Sequence, residues 1–164
     1  MKPVLEHLPK DAEEGFVVKY FQYNYYPTPW HFHPEVELFC CIEAKGTNFI
    51  GNYVHPIENG ELILIGKNLP HLRQRDKAHP DASGTGTTRT LELKFKEDFL
   101  GEDFFTLKEF SHIEALLKRA QRGIKFHGPV RDRVLTILNR VNAGAGIAVL
   151  MDVLSILDIL AHSD

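Results

Sequence analysis

Residues 30–43, WHFHPEVELFCCIE, gather the side chains of this chain best suited to chemistry. His31, His33, Glu37, Phe39 and Cys41 share one parity, while Phe32, Val36, Leu38, Cys40 and Ile42 share the other. Alternate residues of an extended chain project from one face, so two imidazoles and a carboxylate would point together, with Pro34 a local interruption of pairing. A third imidazole can come from His71, which follows Pro70 just after the apolar run ELILI. Such nitrogen and oxygen donors suit a divalent Zn, Ni, Fe or Mn ion. The same four residues also make sense as a hydrogen-bonded polar cluster lining a ligand pocket without metal. Phe39 and Cys41 would wall that pocket, Cys41 as a small apolar group, because no cationic helix end lies nearby to make it a thiolate. The aromatic residues Tyr20, Phe21, Tyr23, Tyr25, Tyr26 and Trp30 offer faces and phenols to a sugar or another flat ligand, or pack a sheet in the ordinary way. Lys94 and Lys96 read as a solvated strand face.

The elements that must position these residues change character along the chain. Up to residue 98, short apolar or alternating runs (FVVKYFQYNYY, VELFCCIE, TNFIGNYVHPI, ELILI, TLELKF) alternate with turn residues, which predicts an antiparallel sandwich or barrel. Gly51-Asn52 and Asn59-Gly60 supply the positive φ of tight turns. Residues 74–87 are polar, carry Gly84 and Gly86 and lack either period, which predicts a loop, a lid or an inert insertion. From residue 107 the period becomes helical. Ser111 and Glu114 have the spacing of a capping box, with Ile113, Leu116, Leu117 and Ala120 as the apolar face and Gly123 as the stop. A second helix starts at Gly128-Pro129, buries Val130, Val134, Ile137, Leu138 and Val141, and is broken by residues 142–146. A third, over residues 147–162, carries two apolar stripes: Ile147, Leu150, Leu154, Leu157 and Ala161 on one, Val149, Val153, Ile156 and Leu160 on the other. A helix apolar over most of its circumference needs a second partner surface, either the β core or another copy of the chain, and the second copy is favoured.

Composition narrows the function. The chain has 164 residues and 18.7 kDa, with 19 Lys plus Arg against 22 Asp plus Glu, a formal charge of 19 − 22 = −3. That size and an apolar content of 43% suit one domain with a sizeable core and exclude disorder as the main theme. A pI near 6.3, without a Lys/Arg-dense run, gives no electrostatic footprint for nucleic acid. Adjacent Cys40 and Cys41 do not make a disulfide framework, and the polar N-terminus is no signal peptide, so the sequence reads as cytoplasmic.

Two motifs carry a family resemblance. H-x-H-x3-E at His31, His33 and Glu37, followed by a Gly-acidic strand start and a Pro-His at His71, is similar to the two motifs of the cupin superfamily, and these four residues match its metal-ligand positions. Gly66 stands where the enzyme pattern has proline, and Gly46 lies nine rather than seven residues after Glu37. GELILIGKNLPHL, LELKFKEDFLG and LKRAQRGIKF more closely resemble, in order, segments of the N-terminal cupin sensor domains of AraC-family transcription regulators. The resemblance implies a mainly β fold with C-terminal helices, that is, a cupin-type antiparallel barrel or jelly roll over residues 1–106 and a three-helix linker and dimerisation segment over residues 107–164. It further implies a ligand-binding, non-enzymatic role in transcription regulation. A small-molecule effector, a sugar among the candidates, would meet His31, His33, Glu37, Phe39, Cys41, His71 and Trp30. The chain would form a homodimer through its C-terminal helices and reach DNA only through a helix-turn-helix domain missing from this sequence. The competing class is a small metal-dependent cupin enzyme, an oxygenase or isomerase.

Overall fold

Alternating apolar residues become strands wherever one face has something to bury, and this chain buries both faces of one sheet. The computed structural model describes residues 2–7, 15–23, 29–75 and 88–163. Its strands are β1 (Val4–Leu5), β2 (Phe16–Tyr23), β3 (His31–Phe32), β4 (Val36–Glu43), β5 (Gly46–Ile50), β6 (Tyr53–Pro56), β7 (Leu62–Ile65), β8 (His71–Arg75), β9 (Thr88–Phe95) and β10 (Ile124–Phe126). The helices are α1 (Ser111–Ala120), α2 (Gly128–Ala143) and α3 (Ile147–Ala161), with two short 3-10 turns before α1. Two five-stranded sheets, β1-β3-β8-β5-β6 and β10-β7-β4-β9-β2, face each other as a cupin barrel. All pairs are antiparallel except β1 with β3.

The outer face of the second sheet presents Val36, Leu38 and Cys40 of β4, Leu62 and Leu64 of β7, and Leu91, Leu93 and Phe95 of β9 to the helices. There they join Ile113, Leu116, Leu117 and Ala120 of α1, Val134, Leu138 and Val141 of α2, and Val149, Val153, Ile156, Leu157 and Leu160 of α3 in one continuous core. Each fully buried Leu or Phe adds about 1.5–3 kcal/mol relative to its exposed state.

Local differences from the sequence reading have physical reasons. Ser111 does not cap α1. It lies inside the helix at φ −55°, Phe110 holds the cap position without a side-chain bond, and Glu114 pairs with Lys118 one turn on. The second helix continues through Asn142 to Ala143, and only Gly144-Ala145-Gly146 breaks it. Between α1 and α2 the chain returns to the barrel, where β10 pairs antiparallel with β7, Ile124 opposite Leu64 and Phe126 opposite Leu62. On α3, the Val149, Val153, Ile156 and Leu160 stripe is buried together with Leu157, whereas Ile147 is 78% and Met151 57% exposed. Gly51 and Gly60 do adopt positive φ, at 56° and 78°. Of the loop expected at residues 74–87, the first two residues finish β8, and residues 76–87 lie outside the described residues.

Candidate functional site: a histidine cluster beside a barrel cavity

The strand that carries His31 is only two residues long: His33 already lies beyond it, and Pro34, which has no N–H to extend the pairing, comes next. One register pair, His31 opposite His71, joins β3 to β8 and brings the third imidazole across. The turn leading to His71 is fixed by close contact. Gly66 donates its N–H to Ala120 O at 2.8 Å, and a Cβ there would lie 2.6 Å from Gln121 N. The last turn of α1 therefore admits only glycine at the position where cupin enzymes carry proline. Asn68 then takes the left-handed φ of 59° and donates its N–H to His33 O at 2.8 Å.

All three rings are oriented by the same device. Nδ1–H donates to a backbone carbonyl two residues away: His31 to Pro29 (2.8 Å), His33 to Glu35 (3.0 Å) and His71 to Leu69 (2.8 Å). A carbonyl only accepts, so the ring proton belongs on Nδ1 and each neutral ring turns a bare Nε2 lone pair elsewhere. Glu37 Oε2 lies 3.1 Å from His33 Nε2 and 3.5 Å from His71 Nε2, and the ligand nitrogens of the three histidines fall within 4.8 Å of one another. His71 Nε2 is buried without a hydrogen-bond partner. Lone pairs that converge on a carboxylate oxygen need a cation or a proton among them, and histidine ligands oriented through Nδ1 are the usual way to hold a metal. The residues present thus fit a divalent ion held by His31, His33 and His71, with Glu37 beside it.

Charge around this cluster is dense and buried. Burial works to raise the Glu37 carboxyl, but Arg73 Nη2 at 2.5 Å from Oε1 and Lys94 Nζ at 3.2 Å from Oε2 overcome it and hold Glu37 well below the usual carboxylate range. Burial, and then the neighbouring His71, lower His31 to about 4, and burial also lowers His71, so both rings stay neutral at physiological pH. Glu92 is pushed up to about 7, first by burial and next by the Glu37 charge. Glu6 arrives from the end of β1 and pairs with Lys94 at 2.8 Å, its Oε2 lying 3.6 Å from His31 Nε2.

Glu6 and Lys94 also belong to the rim of a cavity of about 240 Å³, whose other walls are Val17, Lys19 and Phe21 of β2, Glu92 of β9, and His7. The structure therefore brings His31, His33, Glu37 and His71 together but distributes the other candidates differently. Phe39 lies under the Arg73 guanidinium, 3.6 Å from the ring centroid, and Cys41 is buried with Ala44 and Ile57. Neither belongs to the cavity's lining. Burial raises the Cys41 thiol to about 12, which makes it inert. Trp30 supplies its carbonyl to Val4 N–H, and its indole makes none of the described contacts of the cluster. Of the aromatic stretch, Phe21 lines the cavity and Tyr20 is exposed; Tyr25 and Tyr26 lie outside the described residues. Lys94 is a correction: Lys96, just past the end of β9, is exposed, but Lys94 shares the parity of Glu92, opposite to Leu91, Leu93 and Phe95, and so points into the barrel.

A second polar group, absent from the sequence reading, ties the barrel to β10. Buried Glu61 accepts from Asn48 Nδ2, from His55 Nε2 at 3.0 Å and from Lys125 Nζ at 2.9 Å. Asn48 faces inward because it pairs with Arg73 on β8 and with His55 on β6.

No family model matches the chain, and no curated protein matches it in sequence. Among solved structures it is similar to ToxT from Vibrio cholerae O395 bound to (E)-4-(8-methylnaphthalen-1-yl)but-3-enoic acid, at 12% identity and TM-score 0.53 over 86% of this chain and 54% of that one. A second ToxT structure from Vibrio cholerae gives 11% identity and TM-score 0.50 over 78% of this chain and 47% of that one. A cupin 2 conserved barrel domain protein from Rhodopseudomonas palustris gives 17% identity and TM-score 0.41 over 54% of this chain and 57% of that one. The chain thus spans about half the length of the ToxT chains it resembles. At these identities the likeness is one of fold, and that fold is the cupin barrel with appended helices found in ToxT, an AraC-family regulator.

Proposed function

We propose that this chain is an effector-sensing and dimerising domain of an AraC-type transcription regulator, acting in the cytoplasm and reaching DNA through a further domain. The observation that carries the reading is the double use of one sheet. Glu92 and Lys94 line the cavity, with Glu37 behind Lys94 on the same face, while Leu38, Leu91, Leu93 and Phe95 of the same strands pack in the core shared with all three helices. A ligand that repositions the inner side chains can shift the helices, provided that it binds the two arrangements with different affinity. The fold likeness to ToxT extends over the helices as well as the barrel, which supports the same reading. ToxT is bound there to a carboxylic acid with an apolar body. Here Lys19 offers an ammonium group beside apolar Val17 and Phe21, and Lys94 one that it shares with Glu6 and Glu37, so a small carboxylate is the first effector class to try and a sugar the second. The exposed end of α3 around Ile147 and Met151 is the dimer contact on this reading.

In this proposal the histidine cluster holds a divalent ion, Zn, Ni, Fe or Mn, and the barrel binds rather than catalyses. The ion supplies a Lewis-acidic anchor for a ligand oxygen. The residues of the chain orient the imidazoles through Nδ1, neutralise Glu37 and set the cavity's size. The grouping of one ligand nitrogen from each of the three histidines within 4.8 Å also favours a second reading, a small metal-dependent oxygenase or isomerase. Thermal-shift screening of carboxylates and sugars, with and without Zn2+, separates the two. A stabilising ligand that is recovered unchanged, and whose effect is lost in Val17→Trp, supports sensing. Turnover abolished by a chelator overturns it in favour of the enzyme.

A further inference from the structure

We propose that His112, Asp158 and His162 form a transition-metal site of their own, a Zn2+-class clip joining the start of α1 to the end of α3, away from the barrel histidines. The proposal is independent of the functional reading above. His112 is the second residue of α1, and Asp158 and His162 stand one turn apart at the end of α3. Asp158 Oδ1 accepts from His112 Nε2–H at 2.9 Å and lies 3.3 Å from His162 Nδ1, which also donates to Asp158 O at 2.9 Å. The two imidazole rings lie 4.6 Å apart, tilted by 43°.

The spacing is what turns this contact into a metal site. Four-coordinate zinc with bonds of about 2.0–2.2 Å places neighbouring donor atoms about 3.3 Å apart, so the carboxylate oxygen already stands at ligand distance from both nitrogens. The nitrogen that meets the ion must present a lone pair, so each imidazole takes the tautomer with its ring proton on the other nitrogen, the proton moving there by exchange with solvent. Two nitrogens and one oxygen suit Zn2+, Ni2+ or Cu2+, with a remaining position open to water. The other polar residues of α3 are committed elsewhere, Asp152 to Arg140 and Ser155 to the Met151 carbonyl, whereas both described ion-pair partners of Asp158 are imidazoles. The end of α3 is also the negative pole of the helix, which favours a cation. A bound ion would fix the ends of the first and last helices against each other.

The test is equilibrium dialysis of metal-free protein against ZnCl2, with zinc counted per chain. The combined His31→Ala, His71→Ala variant removes the barrel site and is expected to keep one equivalent of zinc, which adding His112→Ala and His162→Ala abolishes. Should the barrel variant fail to fold, His162→Ala alone in the wild-type chain answers the same question, because that side chain is 65% exposed. It is expected to lower the zinc count by one equivalent and to remove one of the two sets of Co2+ absorption bands, leaving that of the barrel site. Zinc content and Co2+ spectrum that do not respond to His112 or His162 overturn the proposal.

Discussion

The two faces of the β10-β7-β4-β9-β2 sheet follow opposite rules. On the helix side, β4 and β9 present Val36, Leu38, Cys40, Leu91, Leu93 and Phe95, all interlocked in one apolar core. On the barrel side the same strands present Glu37, Glu92 and Lys94 among Phe39 and Cys41. A one-residue slip of register would exchange these faces and bury charge against the helices, so the alternation that places the site also secures the fold. The difference teaches that stability and chemistry can be altered separately on one strand, and substitutions can test how complete that separation is.

The largest effect belongs to the helix face. Phe95→Ala should cost about 3–5 kcal/mol in urea unfolding, through lost burial and a residual cavity, while leaving zinc binding at the barrel histidines intact. A loss of that zinc at unchanged fold would break the separation. On the barrel face, Arg73→Met removes the bond to Glu37 Oε1 and leaves a buried carboxylate partnered on one side, which should cost about 2–4 kcal/mol. Replacing Glu37 with Gln in the same protein should restore part of it.

Glu92 sharpens the comparison through pH. Its folded pKa, about 7, lies above the unfolded value, so the native state holds the extra proton between about pH 4.5 and 7. The stability it contributes is therefore fully present below the lower limit and lost as pH rises through 7. Relative to Glu92→Gln, the wild type should lose on the order of 2 kcal/mol between pH 5 and pH 8, read from urea midpoints at the two pH values. A parallel pair of profiles would mean that Glu92 is ionised throughout. The smallest stability effect falls on the histidines. His71→Leu removes a buried, unpartnered Nε2 but also the Nδ1–H bond to Leu69 O, so it should lower the metal-free stability by about 1 kcal/mol while abolishing zinc uptake at the barrel site.

Much of this division was legible in the residues themselves. The parity of Glu37, Phe39 and Cys41 survives along β4 because a period of two leaves no other way to bury Val36, Leu38 and Cys40, whereas His31 and His33 reach Glu37 from the other sheet, across the bend at Pro34. His71 was reachable through its Pro-His turn. The cations were less legible: Lys94 resembles any exposed strand lysine until its register opposite Glu37 is known, and Arg73 meets Glu37 across 36 residues of sequence. Glu6 comes from a segment with no pattern at all, so its place beside Lys94 exists only in three dimensions. The α1 cap was misread for a simpler reason. A Ser-x-x-Glu spacing signals a box only when the serine stands outside the helix, and here the preceding 3-10 turn draws it in.

The short strand β10 has a consequence for anyone who would cut this protein at its apparent boundary. Because Ile124–Phe126 pairs with Leu62–Ile65, a fragment ending before residue 107 would leave the LILI strand as an open, wholly apolar sheet edge. Such an edge is a template for intermolecular pairing, so that fragment should aggregate rather than persist as a free barrel. The helices, with β10 woven among them, serve the barrel as its selvedge, and the two should melt together in a single transition.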